Sequence, residues 1–123
     1  MAKRRIAIIG VGKIAIDQHL PVIDKSDDFR VAATVSGRMI AHNDLPVFRT
    51  PAEFYKAMPE VDLVAICTPP GVRHAYVREA LDAGRHVLME KPPTTTISEL
   101  DDLVAYAKKK KRILFQTWHS RYN

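Results

Sequence analysis

Near its start the chain carries Gly10-Val11-Gly12-Lys13-Ile14-Ala15, a G-x-G-x-x-A run set directly after the apolar segment Arg5-Ile6-Ala7-Ile8-Ile9. Each small residue has a physical purpose at that spacing. The first glycine permits a tight turn, the second lets backbone approach a pyrophosphate, and the small third residue lets a helix pack closely on a strand. The phosphates then meet free N–H groups and the positive end of a helix dipole. Alone the run is a weak signal; its place between an apolar run and a helix-like segment gives it weight. Gly10, Gly12, Lys13 and Ile14 are therefore candidate contacts to a dinucleotide.

Four more groups follow apolar runs. After Arg30-Val31-Ala32-Ala33-Thr34-Val35 come Ser36-Gly37-Arg38, where a fold that takes NAD usually presents Asp or Glu to the adenosine ribose. A carboxylate repels a 2′-phosphate, whereas a hydroxyl and a guanidinium bind one. Ser36 and Arg38 thus predict NADP, with NAD as the alternative. After Asp62-Leu63-Val64-Ala65-Ile66 come Cys67-Thr68-Pro69-Pro70. The two prolines stiffen the exit and are expected to hold off the next helix until Val72. Thr68, Pro69 and Pro70 are candidates to lie beside the cofactor, with His74 a weaker one. Cys67 has no cationic neighbour in sequence and reads as packing rather than as a nucleophile.

After His86-Val87-Leu88-Met89 come Glu90-Lys91-Pro92-Pro93. A charged pair at the end of a buried strand costs desolvation unless it serves something. A lysine partly desolvated beside a positively charged nicotinamide has its pKa lowered, which suits proton transfer near neutral pH. After Ile113-Leu114-Phe115-Gln116 come Thr117-Trp118-His119-Ser120-Arg121-Tyr122. Trp118 offers a flat apolar face of the kind that sugar C–H faces pack on, and His119 could hydrogen-bond a sugar hydroxyl. His19 is a weaker candidate; His42 and His86 carry no argument.

The elements that must position these residues alternate along the chain. Short apolar runs read as five buried parallel strands. Between them lie helical segments. The segment from Lys13 onward meets Pro21, where a helix kinks or restarts with proline in its first turn. Thr50-Pro51 reads as an N-cap with proline at the first helical position, opening a short helix to about Met58. A helix over 72–81 closes at Gly84 in a left-handed cap, and another runs from near Ser98 to about Lys110. The order βαβαβαβαβ predicts an α/β fold, a doubly wound parallel sheet of the Rossmann type with helices on both faces. Ligands bind such sheets outside the carboxyl ends of the strands, which is where the groups that directly follow the apolar runs fall.

Composition narrows the partners. With 46% hydrophobic and 27% charged residues in 123, the chain fits one ordered globular domain. The +5 net charge, from 19 Lys and Arg against 14 Asp and Glu, raises nucleic acid, an anionic membrane or a phosphate-rich ligand. The charge is not gathered in one arm, however, and its densest run, Lys108 to Arg112, suits the negative end of a helix dipole. Aromatic residues are not interleaved with basic ones, so no nucleic-acid partner is expected. No run approaches the ~20 apolar residues of a membrane span, so no membrane partner is expected either. The segment Ile6 to Ile9 is too short for a signal region, and a single cysteine fits a reducing compartment, so a cytoplasmic location is expected.

Taken together, these residues resemble the N-terminal domain of the Gfo/Idh/MocA family of NAD(P)-dependent oxidoreductases, over the whole chain. The marks are Gly10-Val11-Gly12-Lys13-Ile14-Ala15, Cys67-Thr68-Pro69-Pro70, and Gly84-Arg85-His86-Val87-Leu88-Met89-Glu90-Lys91-Pro92. The resemblance implies a bound NAD or NADP held in part by Glu90 and Lys91, with Lys91 supporting catalysis and contacting substrate. Asp17-Gln18-His19-Leu20-Pro21 and Thr117 to Tyr122 are most similar to members that oxidise an aldose such as D-galactose or L-arabinose at its anomeric carbon to a lactone. A Ser-Arg pair marks the NADP-using members of that group; here Gly37 separates the two residues. The resemblance further implies a sugar substrate, a second domain beyond Asn123 and homo-oligomers of the complete protein. Residues 1–123 would then be one NAD(P)-binding domain, able to hold cofactor but not to turn over alone. A non-catalytic NAD(P)-binding regulator of sugar metabolism is the rival reading; such a protein has no need of Lys91, and Lys91 is present.

Overall fold

Alternation of apolar residues along two central strands builds a two-faced core. In the computed structural model, which describes residues 4–10, 20–89 and 96–116, β1 (Arg4–Ile9) and β4 (Leu63–Ile66) lie side by side. Successive side chains of a strand point to opposite faces. Ala7 and Ile9 of β1 join Val64 and Ile66 of β4 on one face, and Ile6 and Ile8 join Leu63 and Ala65 on the other. The first face is covered by α2 (Pro51–Ala57), α3 (Pro70–Asp82) and α4 (Ile97–Lys110), which contribute Phe54, Val77, Leu81 and Leu103. The second is covered by α1 (Leu20–Asp24) and by Ile40 and Leu45 of the following connection.

The sheet is completed by β2 (Phe29–Val35), β3 (Val47–Phe48), β5 (His86–Met89) and β6 (Leu114–Gln116). All six strands are parallel, in the order β3-β2-β1-β4-β5-β6. The chain winds outward from β1 in one direction and from β4 in the other, so the strand order reverses between β1 and β4. Register aligns the exits: Ile9 stands level with Val35 on one side and Ile66 on the other, and Ile66 with Met89. A crevice for ligand is expected at that reversal, outside the carboxyl ends.

Two expectations need correction. The sheet has a sixth strand, β3, at its edge. Its two residues bear no pattern of their own; pairing of Thr34 and Val35 with Val47 and Phe48 makes it a strand. The helix after the two prolines begins at Pro70, not Val72, with Pro69 as its N-cap. Proline at the first helical position loses only an N–H that has no intrahelical partner, so the pair directs the helix start rather than delaying it.

Other local signals work as their chemistry requires. Thr50 caps α2 in a reciprocal box: its hydroxyl accepts from the Glu53 N–H at 3.3 Å, and the Glu53 carboxylate accepts from the Thr50 N–H at 3.3 Å. Gly84, at φ +79°, closes α3 by donating to the Leu81 carbonyl, while Arg85 donates its N–H to that of Ala80.

Candidate dinucleotide site

Three strand exits meet at the reversal. The Gly10 N–H donates to the Val35 carbonyl at 2.9 Å, and the Cys67 N–H donates to the Ile9 carbonyl at 2.8 Å. Gly10 thus sits between Ser36 on its β2 side and Thr68 on its β4 side. Its φ of +86° is one that side chains disfavour, and a Cβ built there would stand 2.7 Å from Thr68 Cγ2 and 3.0 Å from the Thr68 nitrogen. Only glycine allows the chain to lie this low across the sheet edge.

Thr68 is more than nine-tenths buried. Its carbonyl accepts from Nε of Arg73 at 3.0 Å and also from the second guanidinium nitrogen, Nη2. Arg73 is itself buried and carries the exit of β4 on the first turns of α3. The Thr68 hydroxyl, by contrast, is buried and has no hydrogen-bond partner among the described residues. An unpaired buried hydroxyl costs about 1–3 kcal/mol, so one beside a glycine turn calls for a ligand group to meet it. The other such hydroxyl among the described residues, Tyr55, lies under the Arg85 guanidinium, away from the exits.

At the β2 exit the Ser36 N–H donates to the Phe48 carbonyl at 2.9 Å, and its Oγ accepts from the Arg38 N–H at 3.2 Å. A hydroxyl that accepts from an amide keeps its own proton to donate. The turn brings Arg38 next to Ser36 although Gly37 separates them in sequence. Arg38 is exposed and makes no ion pair among the described residues. No carboxylate directly follows β2 in sequence. One residue beyond β3, Nη1 of Arg49 donates to the Gly37 carbonyl at 3.2 Å.

His74 faces α4, where Nε2 lies 2.7 Å from Oδ2 of Asp102, and Arg78 Nη1 donates to the same oxygen at 2.8 Å. These two contacts, His74 first, hold the Asp102 carboxyl below the usual carboxylate range. Cys67 packs against the second core cluster, as expected of a packing residue. The structure therefore gathers Gly10, Ser36, Arg38, Thr68 and Pro69 at one edge, with Pro70 opening α3, and engages His74 between two helices. Gly12, Lys13, Ile14, Ala15, His19, Glu90, Lys91, Pro92, Pro93, Trp118 and His119 lie outside the described residues. Sequence reasoning passed over Arg73 and Arg49. Their roles arise from contacts with carbonyls five and twelve residues away, which no periodicity announces.

The strand order, the glycine turn seated on a buried threonine and the orphaned hydroxyl fit a dinucleotide. They define the chain as a doubly wound α/β domain of the dinucleotide-binding kind. Residues 4–117 match the Gfo/Idh/MocA oxidoreductases, characterised by an NAD-binding Rossmann fold, and the chain belongs to that family. It is 41% identical to galactose 1-dehydrogenase of Pseudomonas fluorescens over 96 residues, which cover 77% of this chain and 31% of that protein. The crystal structure of D-galactose-1-dehydrogenase from Rhizobium etli superposes with a TM-score of 0.92 at 44% identity, covering 99% of this chain and 39% of that one. KijD10, a 3-ketoreductase from Actinomadura kijaniata solved in complex with TDP-benzene and NADP, superposes at 0.82 with 28% identity, covering 94% and 38%. The chain spans about a third of the length of the curated relatives it matches.

Proposed function

We propose that residues 1–123 form the NADP-binding domain of an oxidoreductase that takes a hydride from the anomeric carbon of an aldose, such as D-galactose or L-arabinose, and leaves a lactone. NAD is the second cofactor it can use. The observation that carries this reading is the β2 exit, where Ser36 and Arg38 share one turn and no carboxylate directly follows the strand. The similarity to two galactose dehydrogenases supports the sugar, and KijD10, solved with NADP, supports the cofactor.

When bound, the dinucleotide supplies the hydride acceptor. The chain supplies position and proton handling. Gly10 keeps the turn low enough for a pyrophosphate to reach backbone N–H groups, and Thr68 offers an unpaired hydroxyl to the same ligand. Lys91, as its neutral amine, takes the proton of the anomeric hydroxyl while the C1–H bond gives up its electron pair. The sugar thereby loses a hydride and a proton, a two-electron oxidation. Trp118 and His119 contact the sugar.

Titration of the chain with NADPH and NADH, followed by nicotinamide fluorescence, tests the cofactor half. NADPH should bind more tightly, and Arg38→Ala should remove the difference. Equal affinities in the wild type would refute the NADP assignment. In a protein that carries the second domain, Lys91→Ala should abolish aldose oxidation and spare cofactor binding; retained turnover would refute the role of Lys91.

A further inference from the structure

We infer that Arg49, one residue past the edge strand β3, is a second guanidinium for the 2′-phosphate and sets the preference for NADP together with Arg38. This rests on the NADP reading and adds a residue to it. The short strand is what brings Arg49 there. Phe48, the last residue of β3, pairs with Val35 and accepts the N–H of Ser36 at 2.9 Å, so β3 ends one residue short of the Ser36–Arg38 turn. One step further the Arg49 guanidinium donates through Nη1 to the Gly37 carbonyl, inside that turn, at 3.2 Å. Arg38 is anchored to the same turn from the other end, through its N–H on Ser36 Oγ.

The side chain of Arg49 is available for a ligand. The residue is exposed and forms no ion pair among the described residues. The carboxylate nearest in sequence, Glu53, is occupied with backbone instead: its Oε1 accepts from the N–H of Arg49 at 3.1 Å and of Thr50 at 3.3 Å. Beyond the Nη1 bond to one carbonyl, the guanidinium makes no other hydrogen bond among the described residues, and a planar fork of such donors matches a phosphate. A phosphomonoester near neutral pH carries close to two charges, which two guanidiniums answer better than one. NAD has a hydroxyl where NADP has this group, so Arg49 separates the two cofactors rather than strengthening both.

The test is calorimetric titration of the wild-type chain, Arg49→Ala, Arg49→Lys and Arg38→Ala with NADPH, NADH and adenosine 2′,5′-bisphosphate. The bisphosphate probes the adenosine end alone. Arg49→Ala should weaken NADPH and the bisphosphate by about tenfold, the size of one exposed charge-assisted contact, and shift NADH by less than about twofold. Arg49→Lys keeps the charge without the fork and should fall between. An unchanged NADPH-to-NADH ratio in Arg49→Ala, while Arg38→Ala collapses it, would overturn the role of Arg49 and leave the NADP reading standing. Equal loss of both cofactors would also overturn it, because Arg49 would then be shaping the turn. Equal affinities in the wild type would overturn both this inference and the reading beneath it.

Discussion

Replacing Gly10 by alanine tests how the strand exits are joined. Two costs add. Alanine at φ +86° carries a left-handed backbone penalty of about 1–2 kcal/mol. Its methyl also meets Thr68 Cγ2 at 2.7 Å and the Thr68 nitrogen at 3.0 Å, and overpacking of this kind costs about 1–3 kcal/mol. The lower entropy of the unfolded alanine chain returns about 0.4–1 kcal/mol. The net loss should be about 1–5 kcal/mol, up to a large part of the ~5–15 kcal/mol that holds a typical domain folded. Only part of it is negotiable. Thr68→Ser deletes Cγ2 and leaves the two backbone contacts, at 3.0 and 3.2 Å, in place. In a double-mutant cycle Thr68→Ser should therefore recover about 1 kcal/mol of the Gly10→Ala cost, the scale of coupling between residues in contact. Urea unfolding at constant m-value reads all four proteins. A Gly10→Ala cost below about 0.5 kcal/mol, or one unaltered by the serine background, would refute the close seating of Gly10 on Thr68.

Two further outcomes follow from the same geometry. Thr68→Val removes the orphaned hydroxyl and nearly keeps its shape; it should stabilise the free chain by about 1 kcal/mol and shrink the thermal shift produced by NADPH, whereas a destabilised valine variant would mean that the hydroxyl has a partner after all. Asp102 titrates below its ordinary range because His74 and then Arg78 hold its charged form. The unfolded chain therefore binds the proton first as pH falls. The stability Asp102 provides is complete above the usual carboxylate pKa of about 3.9 and is lost as pH drops through the depressed folded value. Asp102→Asn should flatten that acid-side loss in urea midpoints measured between about pH 2.5 and 6, and an unaltered slope would dispose of the contact.

Much of the frame was legible because its signals are local. Buried strands show as apolar runs, the Thr50-Pro51 cap is written in two residues, and Gly84 marks a helix end that its φ of +79° then requires. Where reading failed, the decisive partner lay elsewhere. Val47 and Phe48 become a strand only because Thr34 and Val35 offer them an edge. Pro69 and Pro70 are consistent with a stiff loop or a helix start, and packing of Val77, Ala80 and Leu81 against the sheet decides for the helix. Arg73 and Arg85 look like surface cations in sequence. Both are buried, because each finds carbonyls to hold: Thr68 for one, Val61, Tyr55 and Met58 for the other.

The site depends on a fact that no single motif contains. Sequence places Gly10, Ser36 and Thr68 each just after a strand, but not beside one another. Strand order does that, by setting β1 between β2 and β4. With β1 moved to an edge, the same three motifs would keep their turns and lose their contact, since the bonds joining them run from Gly10 to Val35 and from Cys67 to Ile9. The glycine must then be small for two reasons at once. Its conformation excludes a side chain, and its neighbour across the reversal occupies the space a side chain would take. Arg49 stands in the same relation to β3. Its place beside Ser36 is a consequence of a two-residue strand pairing in register, so a change that detached Val47 and Phe48 from β2 would carry the guanidinium away from the turn while leaving Arg38 where it is.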